Sequence, residues 1–319
     1  MKHRVGVVGL GARATKVLPD ALRHTAVELK AVCDVDANRL STWHGVPTFT
    51  ECEEMLDKVN LDFIVVMTPH HSHLPLVRAA ARRGVHVLKE KPFARSLEEA
   101  LEIQRVCDAA NIHLMTSLPR RFNLNYKLFH EWVHRVGQPF FAEFTYTKFV
   151  EQPGHGWRGH KSLAGGGCII DLGYHMVDMI LWNLGLPDRV HASISASAAP
   201  NSSYDAEDTA LVGFRYANGL HGSLTLSRFL PAHERVRLAG SEGILEATPH
   251  ELRFLRSDGV EIEAKALSNQ RSEFAEQLDY FSGVIRGEKP NFASPTEHLL
   301  HARFVDACYT SHKHRGIPL

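Results

Sequence analysis

The sequence predicts a two-domain chain: an N-terminal α/β domain with a doubly wound parallel sheet, and a C-terminal α+β domain with an open, mostly antiparallel sheet. In the first third, short apolar runs alternate with helical patterns, as in right-handed β-α-β crossovers. Beyond about residue 120, strand-like runs follow one another with few helices between them. Asn218-Gly219 and Asp258-Gly259 are strong hairpin signals in that part.

In residues 1–119 we predict five strands, at 4–9, 29–34, 62–67, 85–89 and 112–117. Helices are predicted at 74–83 and 96–110, and Ser96 with Glu99 forms a capping box for the second. Pro19 lies inside the first predicted helix, where proline removes a hydrogen bond. That helix is therefore either kinked at Pro19 or begins again after it.

Residues 120–319 form the second predicted domain, with a role in substrate binding and oligomerisation. Strands are expected at 140–149, 189–198, 209–216, 220–229, 235–239, 252–256 and 260–265. Helices are expected at 125–136, 168–184, 272–286 and 295–312. An alternative has the last helix packing back on the N-terminal domain.

Composition excludes some classes of partner and location. The chain has 319 residues with 36 basic and 36 acidic side chains, and this balance argues against nucleic acid as the main partner. No apolar run approaches the roughly 20 residues that span a bilayer, and the N-terminus lacks the pattern of a secretion signal. The five cysteines are scattered, which suits free thiols in a reducing compartment. We expect a cytoplasmic protein without a membrane anchor.

A glycine loop follows the first strand and opens a helix: Gly9-Leu10-Gly11-Ala12-Arg13-Ala14, the pattern G-x-G-x-x-A. The first glycine permits a tight turn, the second lets the backbone approach a pyrophosphate, and the helix N-terminus favours an anion. Asp34 ends the second strand, where an acid binds ribose hydroxyls and repels a 2′-phosphate. The pattern predicts a dinucleotide cofactor and favours NAD over NADP, although Arg39 lies nearby and could soften that preference.

Two further loops follow predicted parallel strands at their carboxyl ends, where ligands bind in such sheets. The first is Thr68-Pro69-His70-His71-Ser72-His73, and the second is Glu90-Lys91-Pro92. Lys91 stands where it has the reach to touch a substrate hydroxyl. The histidines lack a carboxylate partner and make a poor metal site, so we expect no metal, with His70 and His73 lining the cofactor cleft.

The stretch from Gly165 to Asp178 is the most informative of the second domain. Asp171, His175 and Asp178 are spaced i, i+4, i+7, so they share one face if the helix begins at 168. The three glycines 165–167 would let the helix N-terminus approach a ligand, and the helix dipole favours Asp171 in the first turn. An imidazole between two carboxylates takes a proton near neutral pH, so we expect His175 to act in acid/base chemistry.

These motifs, in this order and spacing, resemble the family named after glucose–fructose oxidoreductase, inositol dehydrogenase and a rhizopine catabolism protein (Gfo/Idh/MocA). The resemblance covers essentially the whole chain. It implies an N-terminal Rossmann domain, a C-terminal sheet that often forms an oligomer interface, and sugar, cyclitol or related polyol substrates. It implies that Lys91 touches substrate and nicotinamide, that His175 is the acid/base, and that Asp171 binds substrate or orients His175.

The resemblance also suggests less constant substrate contacts at Arg120, in Arg120-Arg121-Phe122, and at Trp157-Arg158. We assign catalysis to Lys91, His175 and Asp171. The expected cofactor-binding residues are Gly9, Leu10, Gly11, Ala12, Arg13, Asp34, Thr68, Pro69, His70, His73, Glu90 and Lys91.

The resulting expectation is an NAD-dependent oxidoreductase that interconverts a secondary alcohol and a ketone, and that assembles as a homodimer or homotetramer. Two alternatives stay open. Some relatives use bound NAD during glycoside cleavage, and some members are non-catalytic regulators. Regulators tend to lose the catalytic lysine or histidine, whereas Lys91, Asp171 and His175 are all present.

Overall fold

The computed structural model describes residues 2–23, 25, 27–196 and 204–314. The chain divides into two compact units. The first comprises Met1–Pro119 with Gln270–Leu299, and the second comprises Arg120–Asn269 with Leu300–Leu319.

The first unit is built on six parallel strands, which confirms the predicted doubly wound sheet. Its elements are β1 (His3–Val8), α1 (Ala12–Arg23), β2 (Val27–Cys33), α2 (Ala37–Leu40), β3 (Thr48–Phe49), α3 (Cys52–Lys58), β4 (Phe63–Val66), α4 (His73–Ala81), β5 (His86–Lys89), α5 (Leu97–Ala110) and β6 (Leu114–Thr116). The strand order is β3-β2-β1-β4-β5-β6. Only the two-residue β3 was absent from the predicted strands of this sheet.

Local sequence explains most of these elements. The residues of β4 are all buried, as expected of a central parallel strand covered on both faces. Ser96 caps α5 by accepting a hydrogen bond from the Glu99 N–H at 3.1 Å, which is one half of the predicted capping box, whereas Glu99 Oε2 accepts from the Arg95 N–H at 3.3 Å. α1 runs through Pro19 from Ala12 to Arg23, so the helix does not begin again after the proline.

Within the described part of the second unit, eight strands lie in the order β14-β13-β12-β11-β7-β10-β9-β8, and among these only β7 and β10 pair in parallel. Its elements up to β14 are α6 (Leu124–Trp132), β7 (Pro139–Thr147), α7 (Lys161–Ala164), α8 (Tyr174–Leu184), β8 (Arg189–Ser195), β9 (Thr209–Arg215), β10 (His221–Ser227), β11 (His233–Gly240), β12 (Gly243–Ala247), β13 (Leu252–Leu255) and β14 (Glu261–Lys265). The mostly antiparallel open sheet is confirmed, although β12 was not predicted. Ser197 and Ala198, the end of one predicted strand, lie outside the described residues.

Two helices close the chain, α9 (Glu273–Ile285) and α10 (Pro295–Lys313). Residues 270–299, which the sequence placed in the second domain, group with the first unit. The reason is packing: Phe281 of α9 meets Phe63 of β4 edge to face at 5.2 Å, and Gln277 accepts a hydrogen bond from the Leu118 N–H at 2.9 Å. The division between the units falls within α10.

The core of the second unit lies on one face of its sheet. Phe144, Leu224 and Val212 are register partners on β7, β10 and β9, so they point to the same side. They form one buried apolar cluster with Ile180 of α8 and Phe304 of α10. No helix in the described part of the chain is long and apolar enough to cross a membrane.

Candidate functional site

The glycine loop of the first unit makes the tight turn that its sequence requires. Gly9 has φ +93°, and a Cβ there would lie 2.7 Å from Thr68 Cγ2 and 2.8 Å from the Met67 backbone. At Gly11 the nearest atom to such a Cβ is Arg39 Nη1, at 3.8 Å, so the backbone is open there. Since α1 begins at Ala12, its N-terminus directly follows this open backbone. The arrangement suits an approaching pyrophosphate.

Asp34 is buried at the end of β2, and its carboxylate shapes the glycine loop. Oδ2 accepts a hydrogen bond from the Leu10 N–H at 2.6 Å, and Oδ1 accepts one from the Asp36 N–H at 2.9 Å. Arg39 Nη1 lies 3.4 Å from the same Oδ2, on a side chain that is 49% exposed. An acid and a base therefore stand side by side here, and Arg39 is the base that the sequence suggested could soften the preference for NAD.

The Glu-Lys-Pro segment is tied to the glycine loop. We call residues 90–93 the EKP turn. Glu90 Oε1 accepts a hydrogen bond from Arg13 Nε at 3.0 Å, and the Glu90 N–H donates to Val66 O at 2.8 Å. Lys91 is partly exposed, and its peptide bond to Pro92 is cis. Two of the predicted motifs of this unit are thus held against each other.

The histidines that follow Thr68 differ in exposure. His70 and His73 are buried, whereas His71 is exposed. His73 Nε2 lies 3.1 Å from Thr68 O, and the ring also contacts the Pro92 carbonyl group, so His73 links this loop to the EKP turn. Burial holds the pKa of His73 well below its usual range, and the ring is neutral near pH 7. Among residues 2–23, 25, 27–196 and 204–314, no three His, Cys, Asp or Glu side chains cluster as metal ligands.

In the second unit the helix that carries His175 begins later than predicted. The sequence expectation of a helix from residue 168 is wrong, because α8 begins at Tyr174 and residues 168–173 form successive turns. Backbone N–H groups of these turns donate to Glu207. The Cys168 N–H donates to Glu207 O at 2.7 Å, and the Ile169 N–H donates to Glu207 Oε1 at 3.0 Å. Asp171 therefore precedes the helix, and the argument from the helix dipole does not apply to it.

The three glycines before these turns are explained by packing within the unit. A Cβ on Gly167 would lie 1.9 Å from Glu207 O, and one on Gly166 would lie 1.8 Å from Tyr309 Oη. Gly165 has φ +87°. Gly166 and Gly167 therefore leave space for Tyr309 and Glu207 of the same chain, whereas the sequence had predicted that the glycines leave space for a ligand.

Asp171 is held by two arginines. Arg228 Nη2 lies 3.3 Å from Asp171 Oδ2, and Arg158 Nε lies 3.5 Å from the same oxygen. Arg228 follows directly after β10 and is buried, whereas the Arg158 side chain is 56% exposed. Arg158 was among the residues predicted from the sequence, whereas Arg228 was not, because its only signal was a base directly after a strand.

His175 lies at one end of a row of rings and charges. The centroids of the His175 and Tyr146 rings are 6.1 Å apart. The Arg120 guanidinium lies 5.6 Å from the same Tyr146 ring centroid. Arg120 makes a two-point ion pair with Glu234, which also accepts a hydrogen bond from Tyr126 Oη at 2.8 Å. Burial raises the pKa of Tyr146, so its phenol stays protonated near neutral pH. The predicted residues Arg120 and His175 thus flank a tyrosine that sequence reasoning did not single out.

Asp178, expected beside His175, serves another cluster. Its carboxylate accepts hydrogen bonds from Arg121 Nη2 at 2.7 Å and from Arg121 Nε at 3.1 Å, and His301 Nε2 lies 3.0 Å away. Arg121 also lies over Trp182, and His301 stacks on the tyrosine that begins α8. All of these groups except Trp182 are nearly or fully buried, which makes the cluster a structural anchor for α8.

Comparison with known proteins gives the family. Over 253 residues the chain is 28% identical to a 1,5-anhydro-D-fructose reductase from Ensifer adhaerens, covering 76% of this chain and 75% of that protein. It is 27% identical over 311 residues to a myo-inositol 2-dehydrogenase from Thermotoga maritima, covering 90% of each. A solved aldose-aldose oxidoreductase from Caulobacter crescentus shares the fold, with a TM-score of 0.90, 23% identity and 98% of each chain covered.

Two family models match this chain. Residues 3–117 match the oxidoreductase family with an NAD-binding Rossmann fold, and residues 133–246 match the GFO/IDH/MocA C-terminal domain. The chain belongs to the Gfo/Idh/MocA family of NAD-binding oxidoreductases.

Proposed function

We propose that the chain interconverts a secondary alcohol and a ketone on a sugar, cyclitol or related polyol, with NAD as the hydride carrier. The observation that carries the proposal is the glycine loop: a turn that admits only glycine at Gly9, an open backbone at Gly11, and a helix N-terminus behind them. Relatives named for sugar and inositol oxidation or reduction support the substrate class. When bound, the nicotinamide ring supplies the acceptor or donor of hydride.

The residues proposed to hold the dinucleotide come from loops at the carboxyl edge of the parallel sheet. They are Gly9, Leu10, Gly11, Ala12, Arg13, Asp34, Thr68, Pro69, His70, His73, Glu90 and Lys91. His73 and Asp34 contribute by fixing loop backbone, since both are buried and bonded to it. The others lie on the glycine loop, on the EKP turn that is bonded to it, or on the loop that begins at Thr68 and approaches Gly9.

Two side chains carry the proposed chemistry. In the oxidation direction His175 takes the proton from the substrate hydroxyl, and the Lys91 ammonium stabilises the alkoxide as it develops. Asp171 orients His175 or binds the substrate. Its bonds to Arg228 and Arg158 place charged groups next to it in either role. Arg120, Trp157 and Arg158 are proposed as substrate contacts.

A screen of sugars and cyclitols for NAD reduction tests the reaction. Lys91→Ala and His175→Ala are expected to lower kcat at least about a hundredfold while NAD still binds. Lys58→Ala and His250→Ala are matched controls, because both wild-type side chains are exposed and belong to other parts of the two units. Full activity in Lys91→Ala and His175→Ala would refute the assignment. Sugar release without net NADH formation would point instead to glycoside cleavage.

We infer a preference for NAD over NADP from the buried carboxylate of Asp34, which repels a 2′-phosphate. Arg39 partly offsets this repulsion, since it lies 3.4 Å from Asp34 Oδ2 and is half exposed. Titration should give a dissociation constant for NAD at least about tenfold below that for NADP. Arg39→Ala should weaken NADP binding more than NAD binding. Tighter binding of NADP by the wild-type chain would overturn this inference.

We also propose that the protein self-associates as a homodimer or homotetramer through the open face of the eight-stranded sheet. Phe141 and Leu211 on this face are 40% and 56% exposed. Beside them, Glu143 and Glu246 both bind Arg237. This combination of exposed apolar residues with a polar network is typical of an interface.

Light scattering with size-exclusion chromatography tests the assembly. Leu211→Asp is expected to shift the mass to that of one chain. Leu101→Asp is the control, since Leu101 is 49% exposed on α5 in the first unit. A wild-type protein that elutes as a single chain, or a Leu211→Asp variant with unchanged mass, would contradict the proposed interface.

A further inference from the structure

A lysine in the core of the first unit has no role in the function proposed so far. Lys89 is the last residue of β5 and is completely buried. Its two predecessors in the strand, Val87 and Leu88, are buried as well, and an apolar residue would continue that pattern. Taking an ammonium out of water is costly unless hydrogen bonds replace its hydration.

The bonds of Lys89 go to backbone carbonyls on either side of Lys91. Nζ donates to Pro92 O at 2.7 Å and to Glu90 O at 3.2 Å. The Glu90 carbonyl belongs to the peptide unit of the Lys91 N–H, and the Pro92 carbonyl follows one residue later. The buried amino group of Lys89 therefore bridges the backbone that enters the EKP turn and the backbone that leaves it.

The groups around Lys89 hold the same turn. Nζ lies 5.6 Å from the ring centroid of Phe93, which stacks on the buried ring of His298 at 5.2 Å. The His73 ring contacts the Pro92 carbonyl group from the other loop. His298 therefore packs on Phe93 and His73 contacts Pro92, while Lys89 Nζ donates to the backbone carbonyls of the turn.

Charged and titratable groups near Lys89 come from three elements. Glu99 and Cys107 face it from α5, His73 faces it from α4, and Glu90 follows it in the chain. Burial lowers the pKa of Lys89 to about 7, and the carboxylates of Glu99 and Glu90 act in the opposite direction. Both forms of the amine retain N–H donors for the two carbonyls, and the charged form donates more strongly.

We propose that Lys89 is a positioning residue, whose buried Nζ fixes the backbone of the EKP turn and with it the placement of Lys91. Lys89 cannot touch a substrate itself, because it is fully buried. The catalytic consequence rests on the proposed function of Lys91, whereas the structural consequence does not.

Hydrogen exchange with mass spectrometry tests the structural part on the full chain. Lys89→Met should accelerate exchange in residues 90–96 at least about tenfold, while exchange in β1 and β4 stays within about twofold. Thr116→Val is the matched control, because Thr116 is the buried register partner of Lys89 on β6. If Lys89→Met does not fold, Lys89→Gln replaces it, since its amide keeps two N–H donors on a shorter arm, and a smaller local acceleration is expected.

Unchanged exchange in residues 90–96, or equal acceleration throughout the first unit, would overturn the proposal. The catalytic part is read from turnover with a substrate found in the screen. Lys89→Met should lower kcat at least about tenfold, leave the dissociation constant of NAD within about twofold, and add little in a Lys91→Ala background. Additive losses in that double variant would contradict action through Lys91. If the wild-type chain oxidises nothing, the proposed function fails, and the exchange result still decides the role of Lys89.

Discussion

Replacing Asp178 by asparagine removes one charge from the buried cluster that anchors α8. The Asp178 side chain is 1% exposed and that of Arg121 is 9% exposed, so the guanidinium would lose its counter-charge where water hardly reaches it. Two Arg121 nitrogens and His301 Nε2 lie within 3.1 Å of the carboxylate. The side-chain NH2 group of the asparagine would face at least one of these Arg121 or His301 nitrogens, where the carboxylate had offered an acceptor.

Breaking such a pair by removing one partner costs about 3–5 kcal/mol, because a buried charge is left without compensation. At about 3 kcal/mol, Asp178→Asn should lower Tm by roughly 6–12 °C, given about 2–4 °C per kcal/mol for a unit of this size. Arg121→Met should cost a similar amount. The double variant Arg121→Met with Asp178→Leu should recover most of the loss, since it leaves neither charge buried.

The dependence on pH separates the charge from mere packing. Burial alone would raise the pKa of Asp178, but Arg121 and His301 more than offset it and hold the pKa below its usual range. The carboxylate therefore contributes stability above about pH 4, and that contribution is lost as pH falls further. Thermal unfolding of the wild-type chain and of Asp178→Asn, measured from pH 3 to pH 7, should show a difference in Tm that becomes smaller toward pH 3. A loss below about 1 kcal/mol at pH 7, or a difference that does not change with pH, would refute this account.

Three further outcomes follow from buried groups. Gly167→Ala should cost at least about 2 kcal/mol in chemical unfolding, because its Cβ would lie 1.9 Å from Glu207 O, whereas Gly213→Ala has no atom within 4 Å and should be near neutral. Between about pH 7 and pH 10, Lys89 is protonated in the unfolded chain but not in the folded one, so the free energy of unfolding of the wild-type chain should rise by up to about 1.4 kcal/mol per pH unit. Lys89→Met should lose this dependence on pH. Equal slopes of unfolding free energy against pH in the two proteins would contradict the effect of burial. The five cysteines are free and buried, and burial raises the pKa of Cys33 to about 12, so a thiol reagent at pH 8 should label them only after unfolding.

The sequence predicted the fold well where pattern and position agree. Alternation of strands and helices predicts a parallel sheet, because each strand–helix–strand crossover is right-handed and returns the chain to the same sheet. β3 has only two residues, and β12 begins at a glycine directly after the tight turn that joins it to β11, so neither produces a clear periodic signal. Residues 270–299 were assigned by position in the chain, but their apolar face packs in the first unit through Phe281.

The candidate site was predictable as motifs and less so as contacts. The i, i+4, i+7 spacing suggested one helix face, yet the hydrogen bonds of Cys168 and Ile169 to Glu207 delay the helix until Tyr174. Both bonds depend on Glu207, almost forty positions further along the chain, which no local pattern contains. Lys89 was likewise invisible as a functional residue, because a lysine at a strand end is ordinarily exposed.

Deuterium transfer shows whether hydride passes from the carbon of a substrate alcohol to NAD. The chain is incubated with NAD and C-deuterated sugars or cyclitols that the screen identifies, and the NADH formed is analysed by mass spectrometry. We expect deuterated NADH from the wild-type chain, and at least about a hundredfold less of it from His175→Ala and Lys91→Ala. NADH without deuterium, or a chain that binds NAD and oxidises no polyol, would contradict hydride transfer from a substrate alcohol.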